Sequence, residues 1–242
     1  MLSIIIPSIG DPYLQKTIDD IKKHAKTDYE ILVIDGRKGM RSAINEGVKK
    51  SKGEYIIKTD EHCAFDDGFD KKLLEHIEDN WIVIPRRYEL DVEKWQVMDE
   101  YIDYDRLAIN QPDKIGGVKW RSRTRERKHI KLDETMIFQG SFYLMSRKHW
   151  DFLGGLQVEG YGEFAQEATE LALKTWLSGG KVMVNKNTWY AHKHRKFGRV
   201  RSPWGTKEGN RYSKDFWLNN KWDKRIHDLE WLFKRFNLPY EK

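Results

Sequence analysis

Three short apolar runs, each closed by polar residues and separated from the next by a helical pattern, constrain this chain before anything else. Leu2 to Pro7 ends in Pro-Ser-Ile-Gly, Glu30 to Ile34 ends at Asp35-Gly36-Arg37-Lys38-Gly39, and Tyr55-Ile56-Ile57-Lys58-Thr59 ends at Asp60-Glu61-His62. Runs this short, bounded by turn residues, are strands emerging from a core. Between the first two, Leu14, Ile18 and Ile21 recur at helical spacing, with Asp11 as the expected N-cap and Pro12 at the first helical position. Between the second and third, Met40, Ala43, Ile44, Gly47 and Val48 do the same, leaving Arg41 and Asn45 on other faces. Strand, helix, strand, helix, strand is the opening of an α/β sheet, whose ligands bind at the carboxyl ends of the strands.

Asp60 and His62 stand at such an end. Two residues apart in an extended chain, they turn their side chains the same way, so a carboxylate oxygen and an imidazole nitrogen can share one divalent cation. Mixed oxygen and nitrogen ligands suit manganese better than calcium and leave zinc open. A solvated turn is the other reading, because Asp-x-His occurs by chance in many loops.

A length of 242 residues suffices for one α/β domain with a full core. With 39% hydrophobic and 34% charged residues, the expectation is a soluble protein with a highly charged surface. No apolar run approaches a membrane span, and Met1-Leu2-Ser3 leads into a strand without a signal peptide's regions. The expectations are therefore no membrane partner, no Golgi-type anchor and a cytoplasmic location. Cys63, the single cysteine, forbids an internal disulfide and agrees with a reducing compartment. A net charge of +6 suggests an anionic partner, for which a diphosphate and a nucleic acid both qualify.

With this order in place, the chain resembles the nucleotide-sugar-dependent glycosyltransferases of the GT-A fold. Among them it looks most like the polypeptide N-acetylgalactosaminyltransferases, whose metal motif is Asp-x-His, here Asp60-Glu61-His62. The likeness runs from Ser3 to about Trp222. It implies an α/β fold with a Rossmann-like mixed central sheet flanked by helices. The domain would cover residues 1–222 with a basic insertion at about 86–131, followed by a helical extension over 223–242 carrying Ile226, Leu229, Leu232 and Phe233.

The resemblance also implies a donor site. Asp35 would hold the uracil or ribose, Arg41 would lie beside the nucleotide, and Glu61 would join the donor-binding set. An ordinary turn at Asp35 and a solvated surface arginine at Arg41 are the alternatives. Gln139-Gly140 stands where the family has a Gly-Gly pair before an apolar strand. Glu167 falls on the glutamate of the family's Trp-Gly-Gly-Glu-Asn segment and Glu170 on the next acid, with Ala165 and Gln166 in place of glycines and Ala168 in place of the asparagine. Charge stabilising a helix N-terminus is the other reading of those acids. Trp189-Tyr190-Ala191-His192-Lys193-His194-Arg195 resembles the Gly-His-x-x-Arg segment. His192 would be the third metal ligand, with His194 its rival, and Arg195 and Lys196 would neutralise the phosphates. The cofactors implied are a divalent metal, manganese for preference, and a nucleotide-sugar donor of UDP type, with retention of anomeric configuration.

The middle of the chain has the poorest periodicity. Trp81 to Ile84 reads as a strand stopped by Pro85, and Met136 to Met145 as an apolar strand interrupted by Gly140. Between them, Lys119, Arg121, Arg123, Arg125 and Arg127 put cations at every second position around Trp120. In an extended chain this lines one side with positive charge, a natural phosphate track, unless the segment is a solvated loop. The expected acceptor is accordingly a hydroxymethylated base in DNA, as in viral DNA-modifying glycosyltransferases. A Ser or Thr hydroxyl of a polypeptide, or a glycan, is the alternative. A non-catalytic nucleic-acid-binding protein on a degenerate transferase fold is the rival of another class.

Overall fold

The computed structural model describes residues 1–37, 39–164, 166–193 and 206–241. The chain opens with β1 (Leu2–Ser8), α1 (Leu14–His24), β2 (Tyr29–Asp35), α2 (Met40–Lys50), β3 (Tyr55–Thr59), β4 (Cys63–Phe65) and α3 (Phe69–Leu74). It continues with β5 (Trp81–Asp91), β6 (Gln96–Ile102), β7 (Asp105–Gln111), β8 (Lys114–Lys119), α4 (Arg121–Glu126), β9 (Leu132–Glu134) and β10 (Phe142–Ser146). The remaining elements are α5 (Arg147–Leu153), α6 (Glu167–Leu177), β11 (Lys181–His192), α7 (Thr206–Leu218) and α8 (Leu229–Arg235).

The main sheet has the order β2-β1-β3-β10-β5-β11-β4, with β6 added to β5 and β9 to β11, while β7 and β8 form a separate hairpin. Strands β2, β1 and β3 are parallel, as are β5 and β11; β10 is inserted antiparallel between β3 and β5. This is the α/β sheet expected from the strand and helix order, and it is mixed as the family resemblance implies. Alternation along the strands divides the apolar residues between two faces. Ile5, Ile56, Tyr143 and Met145 join a core with residues of α2, α6 and α8, whereas Ile4, Ile6, Ile57, Phe142 and Leu144 join one with Ile21, Phe69 and Leu73. Trp217, Trp222, Leu229, Leu232 and Phe233 belong to the first of these cores, so the tail packs on the sheet's helical layer, but Ile226 is exposed.

Four expectations need correction. Helix α1 begins at Leu14, not at Pro12; Asp11 makes the turn before it, its carboxylate accepting the Tyr13 N–H at 3.0 Å. Strand β5 does not stop at Pro85 but runs on to Asp91. Proline has no N–H to give a ladder, and at that point the parallel partner is already irregular: Asn185 pairs with Pro85 and Trp189 with Arg86, so residues 186–188 loop out. The apolar stretch before β10 is not strand throughout; β10 starts only at Phe142, beyond the Gln139-Gly140 bend.

The fourth correction concerns the basic row. Residues 121–126 are helix α4, where a spacing of two does not line one side. Arg121 bonds to Glu100, and Arg127 grips Asp133 through Nε at 2.6 Å and Nη2 at 2.9 Å. The Arg123 guanidinium lies 5.0–5.4 Å from the ring centres of Trp120, Tyr104 and Phe236. Lys119 sits 3.9 Å from Glu89, and Arg125 is exposed. The row mainly fastens the insertion to itself and to β9, with Arg123 also reaching Phe236 just after α8, and is not a continuous phosphate track.

Two stability predictions follow from these placements. Arg123→Ala removes the stem and the cation from three rings and should cost about 1–2 kcal/mol in chemical denaturation, whereas Arg125→Ala should stay within about 0.5 kcal/mol. Equal effects from the two variants would contradict the packing described for α4.

Candidate functional site

The site is assembled from the ends of β3 and β11. β11 pairs antiparallel with β4, with His192 opposite Cys63, and this register sets His192 beside His62. The Lys193 N–H donates to the His62 carbonyl at 3.2 Å, closing the strand end over the loop. The Nε2 atoms of His62 and His192 are 3.1 Å apart, and His192 Nε2 is 3.2 Å from Asp60 Oδ2. Asp60, His62 and His192 thus bring three ligand atoms within 4.8 Å of one another. Both imidazoles are 8% exposed and Asp60 21%, so the cluster is sheltered yet open on the carboxylate side.

These separations suit one ion. Two donors each about 2.1 Å from a cation and at right angles to each other lie about 3.0 Å apart. The tautomers agree as well. His62 Nδ1 is 3.3 Å from Asp11 Oδ2, which favours the proton on Nδ1 and leaves the Nε2 lone pair facing the cluster. Burial by itself would push the Asp60 carboxyl up, but the Lys58 ammonium, then His192 and His62, hold it well below the usual carboxylate range, so it is an anionic ligand. Burial pushes the neighbouring Cys63 thiol up to about 12; it remains a thiol, and the donor set is one oxygen and two nitrogens.

The remaining expected residues divide. Gly140 and Glu167 come together: a Cβ at Gly140 would lie 3.5 Å from Glu167 Cγ and 3.7 Å from its Oε1. Gln139 is at the same bend, its Oε1 accepting from Ser141 Oγ at 3.1 Å. Asp35 is exposed at the end of β2 and holds Arg37 through both carboxylate oxygens, at 2.9 and 2.7 Å. Gln166 takes φ +60°, a left-handed conformation unusual outside glycine, at a position where the resembled family has glycine.

Arg41, Glu61 and Glu170 are drawn into the protein instead. Arg41 is completely buried, not on an outer face of α2; its guanidinium pairs with Glu170, donates to the Gln157 carbonyl at 2.7 Å and stacks 4.2 Å over the Tyr161 ring. Glu170 is also held by Lys174 at 2.7 Å and by the Gln157 N–H at 3.1 Å. Glu167 and Glu170 therefore do not act as one pair. Glu61 is 4% exposed and accepts the backbone N–H groups of Ile9 and Asp11 at 3.2–3.3 Å, which pins the loop after β1. His194, Arg195, Lys196 and Ala165 lie outside the described residues.

Sequence reasoning missed Asp11 and Lys58. Local pattern marks Asp11 only as a helix cap and Lys58 only as part of a strand. A lysine inside an apolar run, two residues before the proposed ligand, was the available signal for the second.

The family model described as "Glycosyl transferase family 2" matches residues 35–153. A putative polypeptide N-acetylgalactosaminyltransferase 9 of Drosophila melanogaster is 26% identical over 223 residues, covering 85% of this chain and 32% of that protein. The chain spans about a third or less of the curated relatives it matches. Among solved structures, GalNAc-T7 with UDP, GalNAc and Mn2+ aligns with a TM-score of 0.67 at 17% identity, over 84% of this chain and 45% of that one. A mannosyltransferase from Pyrobaculum calidifontis in complex with GDP-Man and Mn2+ aligns with a TM-score of 0.54 at 15% identity, over 81% and 58%. At such identities the two structural likenesses show the fold.

The donor set generates two predictions. Titrated with manganese, His192→Ala should lose measurable binding at the site. Asp11→Ala, which removes the carboxylate beside His62 Nδ1 together with the acceptor of the Tyr13 N–H, should weaken binding by about 10–100-fold. Breaking the pair behind the site is a separate matter: Arg41→Met leaves Glu170 buried beside Lys174 alone and should cost about 3–5 kcal/mol of stability by denaturant titration. A loss under about 0.5 kcal/mol would contradict the buried pairing.

Proposed function

We propose that this chain, matched over residues 35–153 by the glycosyl transferase family 2 model, is a glycosyltransferase of GT-A fold that moves a sugar from a nucleoside diphosphate donor, UDP for preference, to a hydroxyl acceptor with the help of manganese. The observation that carries this reading is the cluster of Asp60, His62 and His192 at the carboxyl end of β3. Strands β2 and β3 flank β1, so Asp35 and the metal ligands stand about 10 Å apart across the strand ends. A ribose and a diphosphate cover such a span.

In this reading Asp60, His62 and His192 hold the divalent ion, which when bound supplies positive charge to the diphosphate as it departs. Asp35 takes the nucleoside end. The residues at the Gln139-Gly140 bend, where backbone approaches Glu167, face the donor sugar, and the half-buried Glu167 carboxylate accepts from a sugar hydroxyl or from the attacking one. Arg195 and Lys196 are assigned to the leaving phosphates. Arg41 and Glu170 act from behind, holding α2 against α6. Retention of anomeric configuration, implied by the resemblance, is part of the same proposal.

For the acceptor, the similarity to a putative polypeptide N-acetylgalactosaminyltransferase supports a Ser or Thr hydroxyl. A hydroxymethylated base in DNA has the positive net charge and exposed cations such as Arg125 and Lys128 in its favour, but not a continuous cationic row. No helix among the described residues is long and apolar enough to cross a membrane.

The test is a panel of labelled nucleotide sugars with Ser/Thr peptides and hydroxymethylated DNA, each with manganese and with chelator. Transfer should require the metal and should fall by about 100-fold or more in His62→Ala and His192→Ala. The coupling constant of the product's anomeric proton reads retention. Transfer at an undiminished rate in chelator would overturn the metal-dependent mechanism.

A further inference from the structure

Lys58 is an unusual residue for the interior strand β3. Its side chain is 1% exposed, and its ammonium reaches one carboxylate oxygen of Asp60 and the carbonyl of Gly140, the latter at 2.6 Å. The other Asp60 oxygen is the one that faces His192 Nε2. The carboxylate is therefore divided between a fixed cation on one side and the ligand cluster on the other.

The ligand set itself carries little charge for a site that is to hold a dication. The two imidazoles bring no charge as ligands, and Lys58 balances the single charge of Asp60. Asp11 and Glu61 keep their negative charge but lie outside the donor set: Asp11 Oδ2 is 3.3 Å from His62 Nδ1, on the ring side away from the cluster, and Glu61 accepts the N–H groups of Ile9 and Asp11. Across the ladder, Lys58 is paired with Tyr143 of β10, which is itself buried, so the ammonium lies in the protein interior and not in solvent. A cation fixed this close to a metal site in a sheltered environment repels the metal appreciably.

We propose that Lys58 is a positioning residue that confines Asp60 to a single coordinating oxygen and cancels its charge, so that the site binds a divalent cation weakly alone and tightly only together with a nucleoside diphosphate. The proposal rests on the metal reading above and concerns the order of assembly, which that reading leaves open. The diphosphate supplies the negative charge and the oxygen ligands that the protein withholds. By linkage, the metal then raises nucleotide affinity by the same factor as the nucleotide raises metal affinity. The site loads as a unit and is not kept charged with free metal between turnovers.

Calorimetric titration of manganese into the folded chain, with and without saturating UDP, reads the coupling directly. The unmodified protein should bind manganese at least tenfold more tightly with UDP present. Lys58→Met, which keeps the length and removes the charge, should bind manganese alone at least tenfold more tightly than the unmodified protein and gain correspondingly less from UDP. Lys58→Arg should retain the coupling. A purely structural lysine would lower thermal stability when replaced and leave the coupling unchanged; that result overturns the proposal, as does manganese affinity in Lys58→Met no tighter than in the parent. If Lys58→Met does not fold, the parent decides alone: less than a twofold effect of UDP overturns the proposal. Absence of manganese binding even with UDP, or binding untouched by His192→Ala, sinks the metal reading itself and this inference with it.

Discussion

The whole arrangement depends on two strand ends, 130 residues apart in the chain, meeting at one point. β3 delivers Asp60 and the loop carrying His62; β11 delivers His192. What joins them is backbone hydrogen bonding, since β11 runs parallel to β5 and then antiparallel to the short β4 that begins directly after His62. Looping out residues 186–188 opposite Pro85 changes the register of β11 and thereby decides which of its side chains reaches the cluster. A one-residue slip would turn His192 to the opposite face.

Buried charge does the second part of the work. Around the cluster, Lys58, Asp60, Asp11 and Glu61 are each held by specific partners, and the loop after β1 is fixed by the Glu61 carboxylate. Deeper in, Arg41, Glu170 and Lys174 tie α2 to α6. Ion pairs of this kind contribute little net stability over apolar side chains of like volume, but leaving one member unpaired is costly, so they specify one arrangement of the helices. That arrangement sets Glu167 against Gly140 while its neighbour one turn on is sealed away.

How much of this could be read beforehand follows from the range of each interaction. The opening order of strands and helices was legible because it rests on local periodicity, and Asp60 with His62 because both sit on one short extended segment. His192 was reachable only through resemblance to a family, as nothing local marks it out from His194. Lys58 and Asp11 were not singled out, since their significance lies in partners that the fold brings to them. Pro85 misled because a proline ends a strand only when its partner needs the missing N–H. The alternating arginines mislead because a period of two suits an extended chain, whereas here they stand on and beside a helix and are held by Glu100, Asp133 and three aromatic rings, of which Phe236 is far off in sequence and leaves no local signal.

The central claim is that one divalent ion sits among Asp60, His62 and His192 and meets the donor's diphosphate there. Crystals grown with manganese and UDP, measured near the manganese absorption edge, test it most directly. The account predicts a single strong anomalous peak within about 2.5 Å of Asp60 Oδ2 and of both Nε2 atoms, with diphosphate oxygens completing its coordination. A peak bound elsewhere, or a diphosphate lying against the strand ends with no metal between it and these three side chains, would contradict it.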